Sequence, residues 1–161
     1  MVVSLHLRPQ STRSLSLSLD KEAAIGALLV PLRNAYSSDG DPHPIDLPHT
    51  SRLYKVLLQG GHFSHATKAV VTRPNFTPSG FATAFLRHVQ PVDIAAMARG
   101  EGGFVVAALL ERVAVDGTAE ECSRLHECIS GLKDNEDQSI RGWAALSEGM
   151  RLLESKVLGV T

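Results

Sequence analysis

The stretch "PVDIAAMARGEGGFVVAALLERV", Pro91 to Val113, decides how the chain is read. Pro91 has no backbone N–H, so it ends whatever helix precedes it and opens the next. Val92 to Ala98 then reads as a short helix stopped at Gly100. "GEGG" follows, and after it Phe104 to Val113, "FVVAALLERV", is apolar almost all round. A surface helix would carry a polar face, so this run predicts a buried helix. The unit is therefore a short helix, a glycine turn and a long helix inside the core.

Similar units lie on either side. Upstream, "FATAFLRHVQ" reads as a helix, with Thr77 as N-cap and Pro78 at its first position. The stretch before it, through "TRPNFTPSG", reads as a loop. Thr50 or Ser51 is placed to cap a helix that carries Leu53, Val56 and Leu57 inward and closes at Gly60 and Gly61. In "GGHFSHAT", His62 and His65 then read as residues closing off that cap. "NAYSSDGDPHPIDLPHT" is a loop by its Asp, Gly, Pro and Ser content. Before it, Asp20 can N-cap a helix with Ala24, Ile25, Leu28, Leu29 and Leu32 at helical spacing, bent or ended by Pro31. Downstream, Thr118 with Glu121 three residues on forms a capping box for a helix to about Gly131. Asp134 to Asp137 is an acidic linker. Two final helices are expected after it, the last with Met150, Leu152, Leu153 and Val157. Trp143 reads as a core anchor between helices.

Three apolar runs recur: "RLYKVLLQGG" from Arg52, "FVVAALLERV" from Phe104 and "MRLLESKVLG" from Met150, at steps of 52 and 46 residues. Self-similarity at such a period marks an α-solenoid, in which no unit buries its apolar face alone. Only 5% of residues are aromatic, and no long β-branched alternation occurs, which argues against a sandwich or barrel. The expected fold class is all-α, an α-α superhelix of armadillo-type helical repeats.

The formal net charge is −1, but its distribution is uneven. Residues 1–90 hold nine Lys/Arg and five Asp/Glu, a net of +4, and residues 91–161 hold seven and twelve, a net of −5. That split predicts one anion-facing region and one acidic region. Cys122 and Cys128 form no CxxC pair, so neither a zinc finger nor a disulfide framework is indicated and a reducing compartment fits. No apolar run approaches the roughly 20 residues of a membrane span. Residues 1–19 read as a flexible or unassigned extension, with "SLSLSLS" as an edge strand or a tail and a composition like that of a transit peptide. Residues 20–161 read as one helical-repeat domain.

The unit Pro91 to Val113 resembles a Pumilio (PUF) repeat. The order "HTSRLYKVLLQGG", "FATAFLRHVQPVDIAAMARGEGGFVVAALLERV", "LSEGMRLLESKVLG" resembles the C-terminal CPL region of the nucleolar Penguin-type PUF proteins over roughly His49 to Val160, about two-thirds of the chain. The resemblance implies a PUF-like repeat stack that binds RNA in the nucleus and nucleolus. It implies work in large-subunit ribosome biogenesis and pre-rRNA processing, and for some members in translational regulation of mRNA. It implies no enzymatic activity, cofactor, metal, membrane or small-molecule substrate, with pre-ribosomal proteins as further partners.

A PUF repeat reads a base with two hydrogen-bonding side chains and one stacking group early in its long helix. By resemblance those slots fall on Ser51, Arg52 and Lys55, on Gly103, Phe104 and Ala107, and on Gly149, Met150 and Leu153. Phe104 can stack, Arg52 can stack or hold a phosphate, and Lys55 is a point charge. The rest lack the donors or acceptors of a base code. The expectation is contact with RNA backbone, with little base preference, through Arg52, Lys55, Lys68, Arg73 and Phe104, joined by Arg87. The alternative is a protein-interaction solenoid whose acidic residues 111–137 hold a basic ribosomal or assembly protein without RNA.

A third class would be an enzyme or metal protein. His62 and His65 at i, i+3, with His49 or Asp46, would be its ligands, or Cys122 and His126 at i, i+4 a thiolate–imidazole pair. "GEGG" has no strand before it and no Lys-Ser/Thr after it, so it is not a phosphate loop. Glycines at a close approach of two helices explain it.

Overall fold

A computed structural model describes residues 11–34, 41–72, 76–132 and 142–159, with side chains from Asp20 onward. Seven α-helices and one β-hairpin make up the described regular structure, apart from two 3₁₀ turns. The chain is all-α in class. The helices are α1 (Ser11–Leu29), α2 (Pro48–Gln59), α3 (Pro78–His88), α4 (Pro91–Arg99), α5 (Gly103–Asp116), α6 (Ala119–Ser130) and α7 (Trp143–Leu158). The strands are β1 (Gly61–Ser64) and β2 (Ala69–Thr72).

The α4–α5 unit matches its sequence. Pro91 occupies the first turn of α4, and Gly100 ends it with its N–H on the Met97 carbonyl. Gly102 then lets the chain pass close to its neighbours: a Cβ there would lie 3.1 Å from Ile45 Cγ2 and 3.2 Å from the Met97 carbonyl oxygen. Close approach accounts for the glycine at 102. In α5 the residues Val105 to Leu110 and Val113 are buried, as an all-round apolar helix must be.

α5 is the centre of the molecule. It packs against α2 and α7, with α3, α4 and α6 also against it. Lys55 of α2 lies over Phe104 early in α5, while Leu58 and Gln59 late in α2 meet Arg112 late in α5. Gly142, just before α7, abuts Phe104, and Gly149 abuts Ala107 and Leu110. These meeting points advance along all three helices together, so α2, α5 and α7 run in the same direction. These are the helices that carry the three recurring runs.

Some boundaries differ from the sequence reading. The backbone of α1 begins at Ser11, so Asp20 lies inside the helix and caps nothing. Leucine is a strong helix former, and the serine–leucine run has neither proline nor glycine to stop it. Residues 11–19 are thus helical rather than an edge strand, and residues 1–10 lie outside the described residues. α2 begins at Pro48 with Leu47 as N-cap, not at Thr50 or Ser51, because proline suits the first helical position. Its buried residues are Tyr54 and Leu58, with Leu57 partly buried, while Leu53 is exposed. Tyr54 sets this face, since its ring stacks on Phe81 at 6.4 Å and its hydroxyl donates to the Leu28 carbonyl at 2.7 Å. Among the described residues one helix, α7, stands where two were expected at the C-terminal end. The acidic linker Asp134 to Asp137 lies outside the described residues.

The largest difference is the hairpin, in a region read as cap and loop. Gly61 pairs with Thr72, His62 with Val71, Phe63 with Val70 and Ser64 with Ala69, antiparallel. Val70, Val71, Thr72 and Phe63 favour extended backbone, and Lys68 takes a positive φ of 52° to close the turn. Gly61 is required, because a Cβ there would strike the Val71 carbonyl. Gly60 is the left-handed C-cap as expected, with φ 83° and its N–H on Val56 and Leu57. The last carbonyls of α2, on Leu58 and Gln59, accept from Arg112 Nε at 2.9 Å and Nη2 at 3.4 Å. Arg112 also meets Asp116 at 2.8 Å. Substituting Arg112→Ala leaves those carbonyls without their charged donor and is expected to lower stability by about 1–2 kcal/mol, read as a drop in the urea midpoint.

Thr118 and Glu121 form the expected capping box: the Thr118 N–H donates to Glu121 Oε2 at 2.9 Å, and the Glu121 N–H to Thr118 Oγ1 at 3.2 Å. Partial burial works to raise the Glu121 carboxyl. Hydrogen bonds from the Thr118 N–H and the Thr83 and Thr118 hydroxyls, with the Arg87 guanidinium nearby, outweigh it and hold the carboxyl below its usual range. A carboxylate lowered on folding stabilises above its unfolded value, and the stabilisation fades as pH falls through the folded value. Glu121→Gln should therefore be less stable than wild type near neutral pH. It should also lose stability less steeply on acidification, in melts taken down through the carboxylate range.

Candidate nucleic-acid interface

Two of the candidate side chains, from distant parts of the chain, meet. Lys55 Nζ stands 5.6 Å from the centroid of the Phe104 ring, a cation–π distance. α2 supplies Lys55, and the opening turn of α5 supplies Phe104. The third wall is Gly142, whose φ of 80° and lack of a Cβ admit the ring: a Cβ there would lie 3.1 Å from Phe104 ring carbons. Phe104 sits at this three-helix junction and is still 41% exposed. Arg52 is exposed one turn before Lys55 on α2, so the two cations share a helix face.

Lys68 is exposed in the hairpin turn, and the hairpin packs on α2. Arg73 lies outside the described residues. Arg87 is exposed on α3, but the Glu121 carboxylate shares its field, so it is the least available of the cations. The sequence reading missed a signal that joins these residues. No Asp or Glu occurs between Asp46 and Asp93, a span that holds Arg52, Lys55, Lys68, Arg73 and Arg87. α2, the hairpin and α3 all fall within it.

The remaining slots face the interior or are occupied locally. Gly103 and Ala107 are buried in α5, and Gly149, Met150 and Leu153 are buried in α7. Ser51 Oγ donates to the Pro48 carbonyl at 3.3 Å. In α7 the three slots lie on the face that packs against α5, so no ligand reaches them. The surface near Phe104 offers charge and one aromatic face, without paired donors and acceptors for a base edge.

Among the described residues no group of three His, Cys, Asp or Glu could hold a metal ion. His62 is exposed on β1, while His65 sits beyond it with its ring edge-on to Phe63 at 5.3 Å. Cys122 is buried with its thiol directed to the Val113 carbonyl at 3.5 Å. His126 instead faces Glu154 of α7, Nε2 to Oε1 at 3.7 Å. Burial pushes both the Cys122 and Cys128 thiols up, away from the thiolate a nucleophile needs. No described helix is long and apolar enough to cross a membrane. Comparison with protein-family models, curated proteins and solved structures finds no match to this chain.

Proposed function

We propose that this chain is a non-enzymatic, PUF-like repeat domain of the CPL type that binds RNA backbone with little base preference. In this reading it serves a nucleolar factor of large-subunit ribosome biogenesis, with pre-rRNA as ligand and mRNA as a second one. The family part rests on the resemblance of His49 to Val160. It is supported by the three recurring runs lying side by side and parallel on α2, α5 and α7. A repeat stack places its equivalent helices in that relation.

The observation that carries RNA binding is the contact of Lys55 with the exposed ring of Phe104, beside Arg52, within a span lacking any acid. Lys55 is half-buried, and a cation–π pair of this kind contributes on the order of 1 kcal/mol to stability. The same pair offers a phosphate a charge and a base a flat face. The protein-interaction alternative gains less support, since Asp116 and Glu121 of the acidic half are engaged with Arg112 and with Thr118.

The test is a titration of a labelled uridine-rich oligonucleotide at several salt concentrations. The reading expects measurable binding whose logarithm falls linearly with the logarithm of salt, at a slope of about −0.7 per phosphate contacted. A chain that binds no RNA at low salt but retains a basic ribosomal protein would favour the alternative.

A further inference from the structure

The hairpin is the part of the acid-free span that the α2 surface does not use. Its strands pack on α2, which fixes its base. Phe63 on β1 is 44% exposed, opposite Val70. The ring of His65 stands against it at 84° and 5.3 Å, so the phenyl group is braced in place although it lies outside the core. His62 lies on the opposite face of the strand, and Lys68 closes the turn in a left-handed conformation with its side chain exposed. A braced aromatic ring with one imidazole against it and an ammonium group in the adjoining turn, with no carboxylate along the chain nearby, suits a polyanion that carries flat bases.

We propose that the β1–β2 hairpin is a second RNA contact, specific for single strands, in which Phe63 stacks on an unpaired base while Lys68 and the His65 imidazole meet the flanking phosphates. It rests on the RNA-binding reading above and adds to it the class of RNA. In a duplex both faces of every base are covered by neighbours, so only a single strand can place a base on the ring. Arg52 and Lys55 supply attraction to either form, and Phe63 adds to whatever single-strand preference Phe104 gives.

The experiment compares wild type and Phe63→Ala against a uridine-rich single strand and a duplex RNA of equal length, by fluorescence anisotropy. Phe63→Ala is expected to weaken single-strand binding on the order of tenfold and to leave duplex binding and the salt slope unchanged. Phe63→Trp should bind the single strand and have its indole emission quenched by it, with Trp143 as the only other tryptophan in the chain. That readout stands even if Phe63→Ala disturbs the hairpin. Equal weakening on both RNAs, unchanged single-strand binding, or an unquenched Phe63→Trp would overturn the hairpin contact and leave the α2 surface in place. If wild type binds neither RNA, both fall.

Discussion

Gly149→Leu is expected to destabilise the domain by roughly 3 kcal/mol, read as a lowered urea midpoint. Gly149 is where α7 comes closest to α5. Even a bare Cβ would sit 3.0 Å from Leu110 Cβ and 3.1 Å from the Ala107 carbonyl oxygen. The second of those is helix backbone and cannot turn aside. A leucine must either push α7 away, exposing Leu146, Met150 and Leu153, or bend α5 at its buried centre. Leu110→Ala alone should cost about 2–5 kcal/mol, since Leu110 is fully buried. The double variant should lose clearly less than the sum, because the alanine vacates the space the new side chain needs. Additive losses would mean that the two residues do not share that space, and the parallel packing of α5 and α7 would be wrong.

Arg52→Glu/Lys55→Glu is expected to weaken RNA binding by a factor on the order of a hundred at moderate salt, with folding almost unchanged. Removing two phosphate contacts from a single strand lowers the salt slope by about 1.4, and reversing the charges adds repulsion where there was attraction. Arg52 is exposed and Lys55 half-buried on α2, and a cation–π interaction such as that of Lys55 with Phe104 is worth on the order of 1 kcal/mol. Arg124→Glu on α6 is the matched control, exposed and distant in sequence from the acid-free span, and should leave affinity within about twofold. Equal weakening by the control would assign the effect to net charge rather than to this surface.

What the sequence disclosed was local. Proline at position 91, glycine at 100 and the nearly continuous apolar run from Phe104 define α4 and α5 because each acts within a turn of itself. The Thr118–Glu121 box and the left-handed Gly60 are legible for the same reason. What stayed hidden depends on distant partners. Arg112 caps a helix more than fifty residues upstream, and no spacing rule connects it to Leu58. The inward face of α2 turns on Tyr54, whose value to the core comes from Phe81 and the Leu28 carbonyl. The hairpin was obscured because its strands are four residues long and Gly60-Gly61 reads first as a helix stop. At the candidate site the residue types were legible one by one. The meeting of Lys55 with Phe104 was not, although the acid-free span around Lys55 was there to be counted.

The most direct measurement is ultraviolet crosslinking of the full chain to RNA in cells, followed by sequencing at moderate salt, for wild type beside Arg52→Glu/Lys55→Glu. The predicted result is recovery of RNA by wild type, rich in pre-rRNA and without a short sequence motif, with little recovered by the variant. Equal recovery from the two proteins, or none from wild type, would contradict it.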